Sequence, residues 1–110
     1  KPVARTSGVR LRRTAMTNDA DRHVKDLLII NERGLHARAA ARFVKTAEQF
    51  GAEITVSKDE HTVPARSIMG LLLLVAGRGS AITVTANGAD AQEALNALEA
   101  LVAARFDEAK

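Results

Sequence analysis

Gly34-Leu35-His36-Ala37-Arg38-Ala39-Ala40-Ala41-Arg42-Phe43-Val44 is the stretch on which the reading of the fold depends. A glycine turn gives way there to a helix, because Ala40, Phe43, Val44, Ala47 and Phe50 recur at three- and four-residue spacing and make one apolar stripe from about His36 to Phe50. Gly51 is the expected helix stop. Before the turn, Leu27-Leu28-Ile29-Ile30 is an apolar run of strand length, ended by Asn31 and Gly34.

Downstream, Ile54 and Val56 alternate with Thr55 and Ser57 in a half-buried strand. Lys58 to Glu60 form a polar turn, and Thr62 to Ala65 return as a partner strand whose Pro64 suits a sheet edge. Ser67 has the chemistry of an N-cap and opens Ile68-Met69-Gly70-Leu71-Leu72-Leu73-Leu74, a short helix expected to end at Gly77 and Gly79. Ile82 and Val84 alternate with Thr83 and Thr85 in a fourth strand that turns at Asn87-Gly88. Ala94, Leu95, Leu98, Leu101 and Val102 then give a last amphipathic helix from about Ala91 to Arg105. The order βαββαβα with short links predicts an α/β (α+β) open-faced sandwich, a four-stranded antiparallel sheet covered by helices on one face. The second helix holds more leucine than one packed face requires, so part of it is expected to be exposed as a docking patch.

A chain of 110 residues has room for one small domain and one task. Three Phe and no Trp or Tyr argue against a base-stacking nucleic-acid reader. The absence of Cys removes disulfides, thiolate chemistry and Cys-based zinc sites. No apolar run has the length of a membrane span, and no signal-peptide core precedes the domain, so the expected setting is cytoplasmic.

The net charge of +3 is unevenly placed. Residues 1 to 25 carry seven Lys or Arg against two Asp, whereas residues 26 to 110 carry nine basic and eleven acidic side chains. Residues 1–22 therefore read as a disordered basic tail, a leader or an expression remnant, with the domain at 23–110. The Arg10 to Arg13 cluster leaves contact with an acidic partner or membrane as a minor alternative.

His36 stands where the helix begins. Unpaired amides and the positive end of the dipole favour an anion at such a place, and Arg38 is near enough to reach the same oxygens. The plain alternative is a capping or surface histidine. His23, placed in the tail, and His61, in a polar hairpin, lack such a setting, and the three show no metal-ligand spacing. Ser67 likewise reads either as a cap or as a phosphorylation site beside an apolar surface. Arg66 is either a partner anchor or solvated. Gly77-Arg78-Gly79 is too short for a phosphate loop, and no nucleophile elbow is present.

Taken together, Gly34-Leu35-His36-Ala37-Arg38 and Ser67-Ile68-Met69-Gly70 resemble the HPr family, histidine-containing phosphocarriers of the bacterial phosphoenolpyruvate-dependent phosphotransferase system. The likeness runs from about Asp26 to Phe106. It implies an open-faced sandwich and a carrier, not an enzyme. On this resemblance His36 takes a phosphoryl group on Nδ1 from Enzyme I and passes it to an EIIA domain, with Arg38 as its stabilising partner. It also makes Ser67 the target of HPr kinase/phosphorylase, and Arg66, Ile68, Met69, Leu71 and Leu72 the docking residues. Neither cofactor nor metal is implied, and a monomer without nucleic-acid or membrane partners is expected. The family usually has proline after the arginine, where this chain has Ala39, an excellent helix former. Ala39 and the leucine-rich second helix suggest the proteobacterial nitrogen-related branch. Of two rivals, a ligand- or nucleic-acid-binding domain using the basic tail and a hydrolase using His36 as a base, neither accounts for both motifs.

Overall fold

The computed structural model describes residues 21–110. Strands β1 (Arg22–Leu28), β2 (Glu53–Lys58), β3 (His61–Pro64) and β4 (Ala81–Asn87) form one antiparallel sheet in the order β1-β4-β2-β3. Helices α1 (Ala37–Ala47), α2 (Ile68–Leu73) and α3 (Ala91–Ala103) follow β1, β3 and β4 respectively, and a short 3-10 turn spans Arg105–Asp107. This is the expected βαββαβα open-faced sandwich.

Period-two alternation places Ile54 and Val56 of β2 and Ile82, Val84 and Ala86 of β4 on the covered face, where all are buried. The helices meet them with small and medium side chains: Ala39, Ala40, Phe43, Val44 and Ala47 from α1, and Ala91, Ala94, Leu95, Leu98 and Val102 from α3. Phe43 and Phe106 are fully buried, and each such side chain contributes roughly 1.5–3 kcal/mol. The opposite sheet face carries Thr55, Ser57, Thr83 and Thr85, with Thr83 Oγ1 donating to Asp26 Oδ1 at 2.7 Å. Pro64 lies on edge strand β3, as its missing N–H requires. No helix among the described residues is long and apolar enough to cross a membrane.

Several boundaries differ from the sequence reading. Strand β1 begins at Arg22, not Leu27, and His23 pairs with Ala86 inside the sheet instead of lying in a tail. The missed signal is weak because β1 is an edge strand whose uncovered side exposes Val24 and Leu28, so inward and outward residues do not differ in polarity. Lys25 of β1 is paired with Glu99 of α3 at 2.8 Å. The tail reading of residues 1–20 lies outside the described residues.

Helix α1 ends at Ala47, and Gly51 is not its stop. The chain instead tightens through Gln49 N–H to Thr46 O and Phe50 N–H to Ala47 O, while Gly51 N–H reaches Asp90 Oδ2 at 2.8 Å. Helix α2 ends at Leu73, and the left-handed residue after it is Val75 at φ 51°, ahead of Gly77 and Gly79.

The Gly34 turn is fixed by a close approach. At φ +69°, a Cβ on Gly34 would lie 2.6 Å from Ala76 O and 2.7 Å from Gly77 Cα, whereas one on Gly77 would meet nothing within 4 Å. Gly34→Ala should therefore destabilise the fold by about 2 kcal/mol or more in urea unfolding, and Gly77→Ala by less than about 0.5 kcal/mol. Equal midpoints for the two variants would contradict this account of the turn.

Candidate functional site

His36 is the N-cap of α1, extended at φ −79° and ψ −177°, and its ring makes no capping bond to the first turn. The turn leading to it is held by Gly34 N–H to Asn31 O at 3.2 Å and Leu35 N–H to Ala76 O at 2.9 Å. The first intrahelical bond is Ala40 N–H to His36 O at 2.8 Å. Amides of Ala37, Arg38 and Ala39 accordingly have no acceptor among the described residues. They point their dipoles outward at the histidine end, the arrangement that suits an anion.

The two nitrogens of the ring differ. Nε2 is hydrogen-bonded to the Glu108 carboxylate, and Nδ1 has no partner among the described residues. The side chains are 22% and 13% exposed respectively, so the pair is largely shielded while the ring keeps an open edge. The other Glu108 oxygen accepts from Asn31 Nδ2 at 3.0 Å, and the same Nδ2 donates to Gly34 O at 2.8 Å. Burial pushes the Glu108 carboxyl up. The hydrogen bonds from Asn31 and His36, with the charges of His36 and Arg33, outweigh it and hold the group below the ordinary carboxylate value.

Arg38 is exposed and makes no side-chain hydrogen bond or ion pair among the described residues. It lines an open concavity of about 350 Å³ with Glu32, Arg33, Arg42, Asp107, Glu108 and Lys110. Arg42, one turn on, is already committed to Phe106 O at 2.5 Å and Asp107 at 3.4 Å. On the other side of His36 a groove of about 260 Å³ is lined by Leu35, Leu72, Val75, Ala76 and Gly77 together with Arg33. The histidine thus sits between a charged concavity of mixed sign and an apolar wall.

That wall is α2 and the residues following it. Ser67 caps the helix, its Oγ accepting from Gly70 N–H at 2.9 Å, and Gly70 fits because a Cβ there would come within 2.9 Å of Val63 Cβ. Ile68, Met69, Leu73 and Val75 are exposed, Met69 at 67% and Val75 at 78%. Leu71 is wholly buried, so its expected docking role is corrected: it belongs to the core. Leu72 is half-buried at the groove. Arg66 is exposed and donates to Phe50 O at 2.6 Å, bracing the end of the α1 turn.

Sequence reasoning missed Glu108, Asn31 and Val75. Glu108 and Asn31 are 77 residues apart, and neither sits in a local pattern that marks it. The only signal was a pair of acidic residues, Asp107-Glu108, just beyond the last helix.

Residues 24–104 match the protein family described as "PTS HPr component phosphorylation site". The chain is 46% identical over 84 residues to the phosphocarrier protein HPr of Cupriavidus necator, covering 76% of this chain and 94% of that protein. It is 47% identical over 85 residues to the phosphocarrier protein NPr of Shewanella violacea, with 77% and 93% covered. Among solved structures, HPr-C-His from Thermoanaerobacter tengcongensis superposes with a TM-score of 0.77 at 41% identity, covering 80% of this chain and 99% of that one. HPr from Bacillus anthracis gives 0.69 at 48%, covering 72% and 94%.

The lowered Glu108 group has a signed consequence for stability. Its contribution is complete above the unfolded value of 4.5 and is lost as pH falls through the lower folded value. The native chain should melt above Glu108→Gln at about pH 6, and the gap should close toward about pH 3. A gap that widens on acidification would contradict the assignment.

Proposed function

The chain belongs to the HPr phosphocarrier family, carriers of phosphoryl groups rather than catalysts, and on that premise we propose that His36 is the residue phosphorylated, on Nδ1. The observation that carries the reading is an Nδ1 without a partner among the described residues, at the uncapped amide end of α1 and beside an arginine that has no side-chain bond among those residues. Phosphoryl transfer passes through a loose transition state, so positioning and charge stabilisation do most of the work. The Ala37, Arg38 and Ala39 amides and the Arg38 guanidinium supply positive potential for the equatorial oxygens. Ala39 keeps an N–H that the family's usual proline would lack; the residue is wholly buried, so this amide adds to the dipole at the end of the helix rather than to the exposed surface.

Phosphorylated Enzyme I is the donor and an EIIA domain the acceptor. Both approach the open edge of His36 across Ile68, Met69, Leu72, Leu73 and Val75, an apolar surface suited to transient complexes. The likeness extends equally to an HPr and an NPr, so it supports both the sugar-uptake and the nitrogen-related branch.

Incubation with Enzyme I and phosphoenolpyruvate should give an acid-labile, base-stable adduct on the native chain and none on His36→Ala. Arg38→Ala should fold normally yet accept phosphate at least about tenfold more slowly, as for loss of a charge-stabilising donor. Labelling of His36→Ala would assign the chemistry elsewhere.

Ser67 is the regulatory position of this reading, the site of an HPr kinase/phosphorylase. Phosphate on its oxygen meets the helix amides and dipole favourably, but places about −1.5 to −2 charges at the edge of the docking surface. Ser67→Asp should therefore melt near the native temperature and accept phosphate from Enzyme I much more slowly. A native transfer rate would leave Ser67 as a cap alone.

A further inference from the structure

We propose that Glu108 is a positioning residue for the transfer: it fixes the His36 ring as the Nε2–H tautomer and holds the positive charge the ring acquires when Nδ1 bonds to phosphorus. The proposal rests on the reading of His36 as the phosphoryl acceptor. Its first support is the split use of the carboxylate, one oxygen on His36 Nε2 and the other on Asn31 Nδ2 at 3.0 Å. Asn31 is wholly buried and also bonds Gly34 O, so one side chain orients both the carboxylate and the turn that presents the histidine.

The second support is the way the segment after α3 is folded back. Ending a helix commonly takes one left-handed residue, usually glycine. Here Arg105, Phe106 and Asp107 are all left-handed, at φ 57°, 55° and 63°. Such backbone persists only where its surroundings over-determine it. Buried Phe106, the Arg42 bond to Phe106 O and the Glu32 N–H bond to Lys110 O at 3.0 Å hold it on both sides of Glu108.

The chemistry follows from which nitrogen holds the proton. In the Nδ1–H tautomer the Nε2 lone pair would face a carboxylate oxygen, and Nδ1 would have nothing to attack with. In the Nε2–H tautomer the proton is donated to Glu108 and the Nδ1 lone pair is free. Attack forms the Nδ1–P bond as the bond from phosphorus to the donor's carrying atom breaks and its electron pair leaves with the donor. The ring becomes cationic without gaining or losing a proton, and the carboxylate faces that charge. When the phosphoryl group moves on, the N–P electron pair returns to Nδ1 and the ring is neutral again.

The test uses the native chain and Glu108→Ala, Glu108→Gln and Glu108→Asp, each checked for folding by circular dichroism. In ¹⁵N-histidine spectra above pH 8, native His36 should show the Nε2–H form alone, and the Nδ1–H form should become detectable in Glu108→Ala. Transfer from phosphorylated Enzyme I should slow about tenfold or more in the Ala and Gln variants, with KM for Enzyme I within about twofold, and partly recover in Glu108→Asp. A folded Glu108→Ala protein that transfers at the native rate overturns the proposal, as does an unchanged tautomer. Failure of the underlying reading looks different: the native chain itself would take no label on His36.

Discussion

The close approach of Gly34 to Ala76 and Gly77 is the constraint on which the rest of this molecule depends. Two loops that belong to different helices meet there in main chain, with no room for a Cβ and with Leu35 N–H bonded to Ala76 O at 2.9 Å. Because the contact is backbone to backbone, it fixes the start of α1 against the end of α2 more tightly than side-chain packing alone. The open amides of α1 and the exposed apolar residues of α2 consequently belong to one surface. On the proposed reading, a donor or acceptor docking on Met69, Leu73 and Val75 would be placed beside the histidine without any part of the domain moving.

Charge around His36 is divided between groups already engaged and cations that are not. Arg42 is tied to Phe106 O and Asp107, and Glu108 to Asn31 and His36, so these hold the local frame. Arg38 and Arg33 have no such bond among the described residues. An arriving phosphoryl group thus meets a cation that need not break an existing pair, which lowers the reorganisation required at the moment of transfer. The open concavity beside it suits a carrier, whose group must be reached by two partners in turn and not enclosed.

What could be read from the chain was whatever the physics writes locally. A glycine turn ahead of three- and four-residue apolar spacing located His36 and α1, and a serine before an apolar run located the α2 cap with its Oγ to Gly70 N–H bond. Strand β1 was shortened because Val24 and Leu28 are apolar on the uncovered face, so polarity no longer reports which side is inside. Leu71 was read as a docking residue for a similar reason: in an all-apolar helix, composition cannot say which leucine faces the core. The Glu108–Asn31–His36 cluster joins residues on opposite sides of the whole domain in sequence, and only the left-handed turn at Arg105 to Asp107 brings them together.

Helix α2 shows how a docking surface is kept exposed without collapsing. Six residues are too few to form a stable helix on propensity, and only Gly70 and Leu71 of this one are buried. Its order comes from its two ends: Ser67 satisfies an amide at the start, and Val75 reverses the chain at the finish so that Ala76 can meet Leu35. A β-branched residue in left-handed backbone is strained, and it is tolerated here because the loop on each side is fixed by main-chain contacts. The apolar side chains between those ends are then free to face solvent and partners, since the helix does not need their burial to exist. On the proposed reading, recognition and folding are carried by different atoms of the same short segment, so a charge placed at Ser67 would act on docking while the sheet and its two longer helices stay as they are.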